Sequence, residues 1–418
     1  MKTLHESIMC ERTIGGIPMT LTALPAGLEV DETVGLVLGD AQIAGQVVHH
    51  ARPAFGVQGL FETRAVITPK GDYLLMFPEG LHYNQLMGKG NEMIAYRSKD
   101  RGRTWQGPTT PFDIEYSQHG FIPLIPQGQQ RLYGFGTQPV PGTYTRERGQ
   151  CENAPIGYRY SDNDGYGWSE VRIIRPKNDP DYRGMAVMQM CETSSGTWIL
   201  STYENDHTYR PVMCRQYILR SDDRGATWTL LPHERHGGWY QPKFNSMGEG
   251  RPIHLGNDHV LMLTRTTEGH LWAIRSEDDG RNWSEPEPTP LVHPDAPPML
   301  TLLSDGRTLA AFHHNRHHDS GPDQFYVDSA GKADRSEIWV AFSRDGGANW
   351  SEPRFVFANA LAPEPGMGNF SIHGCSYLDL IVDHGEVHIF FPHRWKRAIH
   401  LRIPEANLLD LPAKAELQ

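Results

Sequence analysis

Cysteine is scarce in this sequence. The five present, Cys10, Cys151, Cys191, Cys214 and Cys375, are odd in number, widely spaced and never paired as Cys-x-x-Cys. That argues against a disulfide scaffold and predicts reduced thiols. Long apolar runs are also missing. No stretch approaches the ~20 residues of a membrane-spanning helix, and the opening MKTLHESIMCERTIGG has no apolar core of a secretory leader. The expectation is a cytoplasmic protein with no membrane partner, or a secreted one if a leader was trimmed. Positive charge is in deficit: the formal net charge is −11. Nucleic acid is thereby disfavoured as a partner, while a small acidic ligand remains compatible with a locally basic pocket.

Turn formers are abundant, with 42 glycines and 31 prolines in 418 residues, as many short strands require. Five segments share the pattern Ser-x-Asp-x-Gly-x-x-Trp: SKDRGRTW (98–105), SDNDGYGW (161–168, with Asn163 for Asp), SDDRGATW (221–228), SEDDGRNW (276–283) and SRDGGANW (343–350). They recur about 60 residues apart, the mark of a repeat architecture. The Ser and Asp side chains are suited to bond the turn's own backbone, Gly to adopt a conformation closed to other residues, and Trp to pack into a neighbouring unit. A strand-like run precedes each turn: NEMIAYRS, APIGYRYS, RQYILRS, HLWAIRS and EIWVAFS.

This pattern resembles the Asp-box (BNR) repeat of the sialidase superfamily over about residues 60–405. The resemblance implies an all-β fold, a β-propeller of four-stranded antiparallel blades. The boxes would join the third and fourth strands of each blade, on the face away from the active site. Six upstream strand–turn–strand units run from RAVITPKGDYLLMF to YLDLIVDHGEVHIFFPHR, the last without a box. The N-terminal residues 1–58 hold about three more strands, which either form a further blade or complete the last one. We expect a single propeller domain over 1–418 with seven blades, six being the alternative.

With the boxes below, the links between blades and between second and third strands lie above. These are rich in His, Arg, Tyr and Glu: FETR (61–64), PEGLHYNQ (78–85), YSQHG (116–120), DYRG (181–184), YENDHTYR (203–210), FNSMGEGR (244–251), RTTEGH (265–270), HHNRHHDS (313–320), NFSIHGCSY (369–377) and PHRWKR (392–397). Arg64, Arg183, Arg210, Arg251, Arg265, Arg316 and Arg394 around one mouth point to an anionic ligand. Glu249 and His373 join the candidate binding residues. His313, His314, His317 and His318 have a spacing that could hold a structural metal, although no cofactor is required.

Two chemistries follow. A sialidase uses three arginines for the substrate carboxylate, a tyrosine nucleophile activated by a glutamate, and an aspartic acid. The segment GEGRPIHLGNDHVLMLTRTTEGHLWAIRSEDDGRNWSEP resembles the corresponding sialidase blade, with Glu249 as the activating glutamate and Arg265 as one arginine. The Arg-Ile-Pro signature is replaced by LFETRAVITPKG, and PEGLHYNQLMGKG offers no aspartate. The segments FETRAV, FPEGLHY, SQHGFIP, NAPIGYRYSDNDG and SYLDLIVDHGEVHIFFPHRWKRAIHLRI resemble instead L-rhamnose-α-1,4-D-glucuronate lyases. That resemblance implies β-elimination at a uronate in an acidic oligosaccharide or disaccharide. The carboxylate needs cationic neutralisation, the C5 proton a base, and the leaving oxygen an acid. His82 is the expected base, His119 a second proton-transfer group, and Tyr83 and Tyr209 the candidate acids. Arg64, Arg183, Arg210, Arg265, Arg316 and Arg394 would hold the substrate. The expected function is therefore a glucuronate lyase, with a sialidase-like hydrolase and a non-catalytic sugar-binding propeller as alternatives.

Overall fold

A computed structural model describes residues 7–52, 59–60, 62–80, 92–114, 121–138, 153–206, 208–209, 212–232, 237–240, 246–314, 334–362 and 374–418. The chain opens with a hairpin, β1 (Glu11–Ile14) and β2 (Ile17–Thr20), followed by β3 (Glu29–Asp31), β4 (Leu36–Leu38) and β5 (Ala44–His50). Six sheets then surround a common axis. The first holds β6 (Arg64–Ile67), β7 (Tyr73–Glu79), β8 (Glu92–Ser98) and β9 (Gln106–Asp113). The second holds β10 (Ile122–Leu124), β11 (Leu132–Thr137), β12 (Ile156–Ser161) and β13 (Arg172–Ile173), and the third β14 (Ala186–Glu192), β15 (Trp198–Asp206), β16 (Met213–Ser221) and β17 (Thr229–Leu231). The fourth consists of β18 (Gly248–Gly256), β19 (His259–Arg265), β20 (His270–Ser276) and β21 (Glu287–Val292). The fifth has β22 (Met299–Leu302), β23 (Leu309–His313), β24 (Glu337–Ser343) and β25 (Arg354–Asn359), and the sixth β26 (Asp379–Asp383), β27 (Glu386–His393) and β28 (Arg397–Pro404).

The propeller therefore has six blades, not the seven favoured above. The N-terminal strands complete existing sheets instead of building a new one. The box-less last unit supplies only three strands, which leaves β28 with an open outer edge. Strand β5 fills that edge, pairing Leu401 with Gly45 and Arg397 with His50. Strands β4 and β3 add to the rim of the fifth blade, where Phe357 faces Leu38. Chain start and chain end are thus joined in one sheet, which closes the ring and covers exposed strand edges.

Blade faces pack on one another through apolar clusters. Leu261, Leu263 and Ala273 of the fourth blade meet Leu309, Ala311 and Ala341 of the fifth. Phe77 and Ile94 of the first meet Phe390 and Ala398 of the sixth. Among the described residues no helix is long and apolar enough to cross a membrane. Cys10, Cys191, Cys214 and Cys375 are free thiols.

All five boxes join third to fourth strands, as expected. In the first, Ser98 Oγ donates to Asp100 Oδ1 at 2.7 Å and accepts from Gly102 N at 2.7 Å, while Thr104 N donates to Asp100 at 2.8 Å. These bonds hold the Asp100 carboxyl down at about 2, the Thr104 hydroxyl and amide bonds being the main cause. Glycine is needed because the turn has a positive φ: at Gly225 it is 85°, and a Cβ there would lie 2.5 Å from the Trp198 ring. Four boxes also reach across to the preceding blade, the fifth through the Gly347 carbonyl to Arg275 at 2.7 Å and the first through Arg103 to Glu386 at 3.6 Å. Asp164 pairs with Arg97 at 3.0 Å, and Asp279 pairs with Arg220 at 3.2 Å while accepting from Ser195 at 2.9 Å and from Thr197.

Candidate active site

In each antiparallel blade the start of strand one, the end of strand two and the start of strand three lie at the end opposite the box. A set of buried ionisable residues occupies those positions. Glu62 and Arg64 lie at the start of β6, Glu249 in β18, and Arg265 ends β19. Asp295 precedes β22, Arg335 lies in the 3₁₀ turn Asp334–Ser336 before β24, and Tyr377 immediately precedes β26.

Five of them, Tyr377, Glu249, Arg265, Asp295 and Arg335, are joined in one series of bonds, and Arg64 and Glu62 form a separate pair. The Tyr377 hydroxyl donates to Glu249 Oε1 at 2.9 Å. Arg265 Nη1 pairs with Glu249 Oε2 at 2.5 Å, and Arg265 Nε with Asp295 Oδ1 at 2.5 Å. Arg335 Nε donates to the Asp295 carbonyl at 2.9 Å, and its guanidinium lies 6.0 Å from the Tyr377 ring centre. Arg64 pairs with Glu62 at 2.8 Å. Asp379, the first residue of β26, accepts from Ala65 N at 2.7 Å.

The backbone is bent to aim these groups. Glu62, Glu249 and Tyr377 have φ of 34°, 50° and 61°, and Arg394 and Trp395 have 55° each. Non-glycine residues rarely adopt this region, and such strain concentrates where geometry serves function. Glu249 lies in a β-bulge, where the register shifts between Gly248, paired with Arg265, and Arg251. A bulge turns one side chain away from the regular alternation; here it brings Glu249 to Arg265. Trp395 supports the tyrosine, with its ring centre 5.6 Å from that of Tyr377.

Burial governs the electrostatics. It raises the Tyr377 hydroxyl well above its ordinary range, and the negative charge of Glu249 adds to this. The phenol is thus protonated at neutral pH and needs a base to become a nucleophile. Burial opposes the charge on Arg265, but Asp295 and then Glu249 outweigh it and hold the group well above its usual value. Beneath, Arg251 is pushed down to about 10 by burial and by the positive charge of Arg64. Asp379 is raised by burial, against the pull of Arg64. Among the described residues Arg64 Nε has no hydrogen-bond partner.

Of the residues expected from sequence, the fold brings Arg64, Glu249 and Arg265 to this centre. Arg394 is buried and acts as a strut, donating to the Ala362 carbonyl at 3.1 Å beside Trp395. Arg183 and Tyr209 are exposed, Tyr209 with the Arg215 guanidinium 5.8 Å from its ring centre. His82, Tyr83, His119, Arg210, Arg316 and His373 lie outside the described residues, as do His317 and His318. His313 and His314 are buried and bond backbone carbonyls, at 2.8 Å to His314 and 2.7 Å to Glu337. Among the described residues no group of His, Cys, Asp and Glu is arranged to hold a metal ion. Sequence reading missed Tyr377, Arg335, Asp295 and Glu62 as individual residues. Arg335 carried a usable signal, a basic residue just before a third strand, at the same blade end as Arg265.

The profile of the BNR repeat-like domain matches residues 142–389, more than half of the chain. The chain belongs to the BNR repeat-like domain family. Solved structures similar to this BNR-repeat chain in fold include two sialidases and a protein of unknown function. The Hadza microbial sialidase Hz136 shares 16% identity with a TM-score of 0.62, covering 86% of this chain and 68% of its own. A protein of unknown function from Dyadobacter fermentans shares 13%, TM-score 0.63, covering 87% and 99%. The NanB sialidase from Streptococcus pneumoniae shares 11%, TM-score 0.59, covering 89% and 71%. No curated protein sequence matches significantly.

Proposed function

We propose that this BNR-repeat protein is a carbohydrate-active enzyme, a sialidase-like glycoside hydrolase that removes a terminal carboxylate-bearing sugar through a tyrosine nucleophile. The observation that carries this reading is the buried bond between Tyr377 and Glu249, flanked by Arg265 and Arg335. Glu249 takes the phenolic proton as the Tyr377 oxygen attacks the anomeric carbon and the bond to the aglycone breaks. The aglycone oxygen leaves with the bonding pair. Water then attacks the anomeric carbon and the bond to the Tyr377 oxygen breaks. Glu249 returns its proton to that oxygen, and the proton released by the water passes through solvent to the departed aglycone oxygen. Arg64, Arg265 and Arg335 supply the positive charge for the sugar carboxylate, and the Arg64 Nε–H, unpartnered among the described residues, is available to it. The sialidase names carried by structural neighbours accord with this chemistry.

A 4-methylumbelliferyl sialoside tests the reading, because its leaving group needs no acid. The wild type should release the fluorophore, and Glu249→Gln should lose about 10²–10⁴-fold in turnover with the fold intact. Full activity in Glu249→Gln would overturn it. The glucuronate lyase reading rests on the sequence segments that resemble such lyases, and on His82 and His119. It predicts instead a product absorbing in the ultraviolet from rhamnosyl-glucuronate, and activity abolished by His82→Ala. Sugar binding without turnover of either substrate would leave the non-catalytic alternative.

A further inference from the structure

The arginines of this site are not electrostatically available in full. Arg64 is matched by Glu62, and Arg265 by both Glu249 and Asp295. Among the described residues Arg335 bonds the backbone carbonyl of Asp295, through both Nε and Nη2, so its charge is not cancelled by those bonds. Three guanidinium groups thus face three carboxylates. If Arg64, Arg265 and Arg335 together receive a substrate carboxylate, the incoming anion meets a site that is close to neutral.

Two of the three carboxylates have other tasks. Glu249 holds the Tyr377 hydroxyl, and Glu62 is tied to Arg64, buried at 2% exposure. Asp295 differs from both. Its side chain is 12% exposed, as is that of Arg265. It takes the Nε edge of Arg265, one of the two edges from which a guanidinium can grip a carboxylate with two parallel bonds. The side chain of Asp295 therefore stands where an anionic ligand of Arg265 would compete, while its backbone carbonyl anchors Arg335.

We propose that Asp295 is a specificity-determining residue that competes with the substrate carboxylate for Arg265. It keeps small inorganic anions out and admits a monoanionic acidic sugar, whose ring adds contacts that a small anion cannot. This rests on the hydrolase reading above, in which the arginines receive a sugar carboxylate. Removing one negative charge a few ångströms from a bound anion, in a poorly solvated site, strengthens binding by about tenfold or more. Asn at this position keeps an oxygen for the Arg265 N–H while removing the charge. Ala removes both.

The test is calorimetric titration of wild type, Asp295→Asn and Asp295→Ala with 2,3-didehydro-2-deoxy-N-acetylneuraminic acid, its methyl ester and inorganic phosphate, with melting curves to verify folding. The expected result is that Asp295→Asn binds the acid about tenfold more tightly than wild type, binds the ester unchanged, and acquires measurable phosphate binding. If Asp295→Asn matches wild type and Asp295→Ala weakens, Asp295 merely holds Arg265 in place and the proposal fails. Weaker acid binding in Asp295→Asn also overturns it. If wild type prefers the acid to the ester, the arginines receive a sugar carboxylate, as the hydrolase reading requires, whatever Asp295 does. If none of the three proteins discriminates acid from ester, that reading falls and this proposal with it.

Discussion

Tyr377 and Glu249 stand 128 positions apart in the chain, yet the phenol donates to the carboxylate at 2.9 Å, and both residues hold a left-handed backbone to do so. They come from different blades, the tyrosine just before β26 and the glutamate in β18. Burial keeps the phenol protonated, so its reactivity depends on Glu249. The two groups act as a unit under the proposed chemistry.

The first prediction tests that unity. Tyr377→Phe keeps the ring against Trp395 and removes only the hydroxyl. Turnover of an aryl sialoside should fall by about 100-fold or more. The double variant Tyr377→Phe, Glu249→Gln should be scarcely worse than either single one, since groups that serve one step are not additive. Multiplied losses in the double variant, read from kcat/KM, would separate the two residues functionally.

A second prediction concerns the opposite face. The buried Asp279 binds buried Arg220 of the preceding blade and accepts from buried Thr197 and from Ser195 at the surface. Asp279→Ala leaves Arg220 with only the exposed Asp222 carboxylate at 2.7 Å and the backbone carbonyl of position 279, and unfolding stability should drop by about 1–3 kcal/mol. Asp345 only closes its own exposed turn through Ser343 and Asn349. Asp345→Ala should therefore lower the melting temperature much less. Turnover at permissive temperature should survive both changes, because neither residue lies at the site end of its blade. Equal destabilisation would mean that the cross-blade pair contributes little.

The same contrast explains what was legible in the sequence. The box is a local structure: Ser98, Asp100 and Gly102 bond one another within a single turn, so the motif reveals the fold and its orientation. Glu249 and Arg265 were also recognisable, since one blade carries both. The Tyr377 bond was not, because no local pattern links residues that meet only when the ring closes. Its segment NFSIHGCSY reads as an upper-face link, but nothing local distinguishes the tyrosine from its neighbours. The blade count is hidden from local reading for a similar reason. Strands in residues 17–48 are visible locally, whereas the pairing of β5 with β28 depends on the sixth unit lacking an outer strand.

A third prediction concerns the support of Tyr377. Gly374 lies under Arg394, and a Cβ there would sit 2.5 Å from the Arg394 backbone nitrogen. Backbone cannot yield as a flexible side chain does. Gly374→Ala should cost about 1–3 kcal/mol and displace the segment that carries Tyr377. The accompanying loss should fall on kcat more than on KM, because the nucleophile is moved while Arg265 is not. Wild-type kcat in a protein of lowered stability would show that the strut supports the fold alone.

The last prediction follows from buried histidines. Burial lowers His313 to about 4 and His314 to about 3, and it lowers His293, His393 and His400 well below the usual value. In the unfolded chain each takes up a proton near pH 6.5, whereas the folded protein stays neutral there. The unfolded state then binds more protons, so stability rises with pH in this window and falls as pH drops below 6.5. Each group contributes a loss of about 1 kcal/mol by pH 5.5. Denaturant unfolding at pH 7.5, 6.5 and 5.5 should show a steep decline before carboxylates begin to titrate. In His314→Asn, the amide can replace the Nδ1 bond to the Glu337 carbonyl and cannot be protonated in this range. That variant should lose less stability between pH 7.5 and 5.5 than wild type, by about 1 kcal/mol. Parallel pH profiles for the two proteins would mean that His314 is protonated in the folded state, contrary to the neutral, buried ring described above.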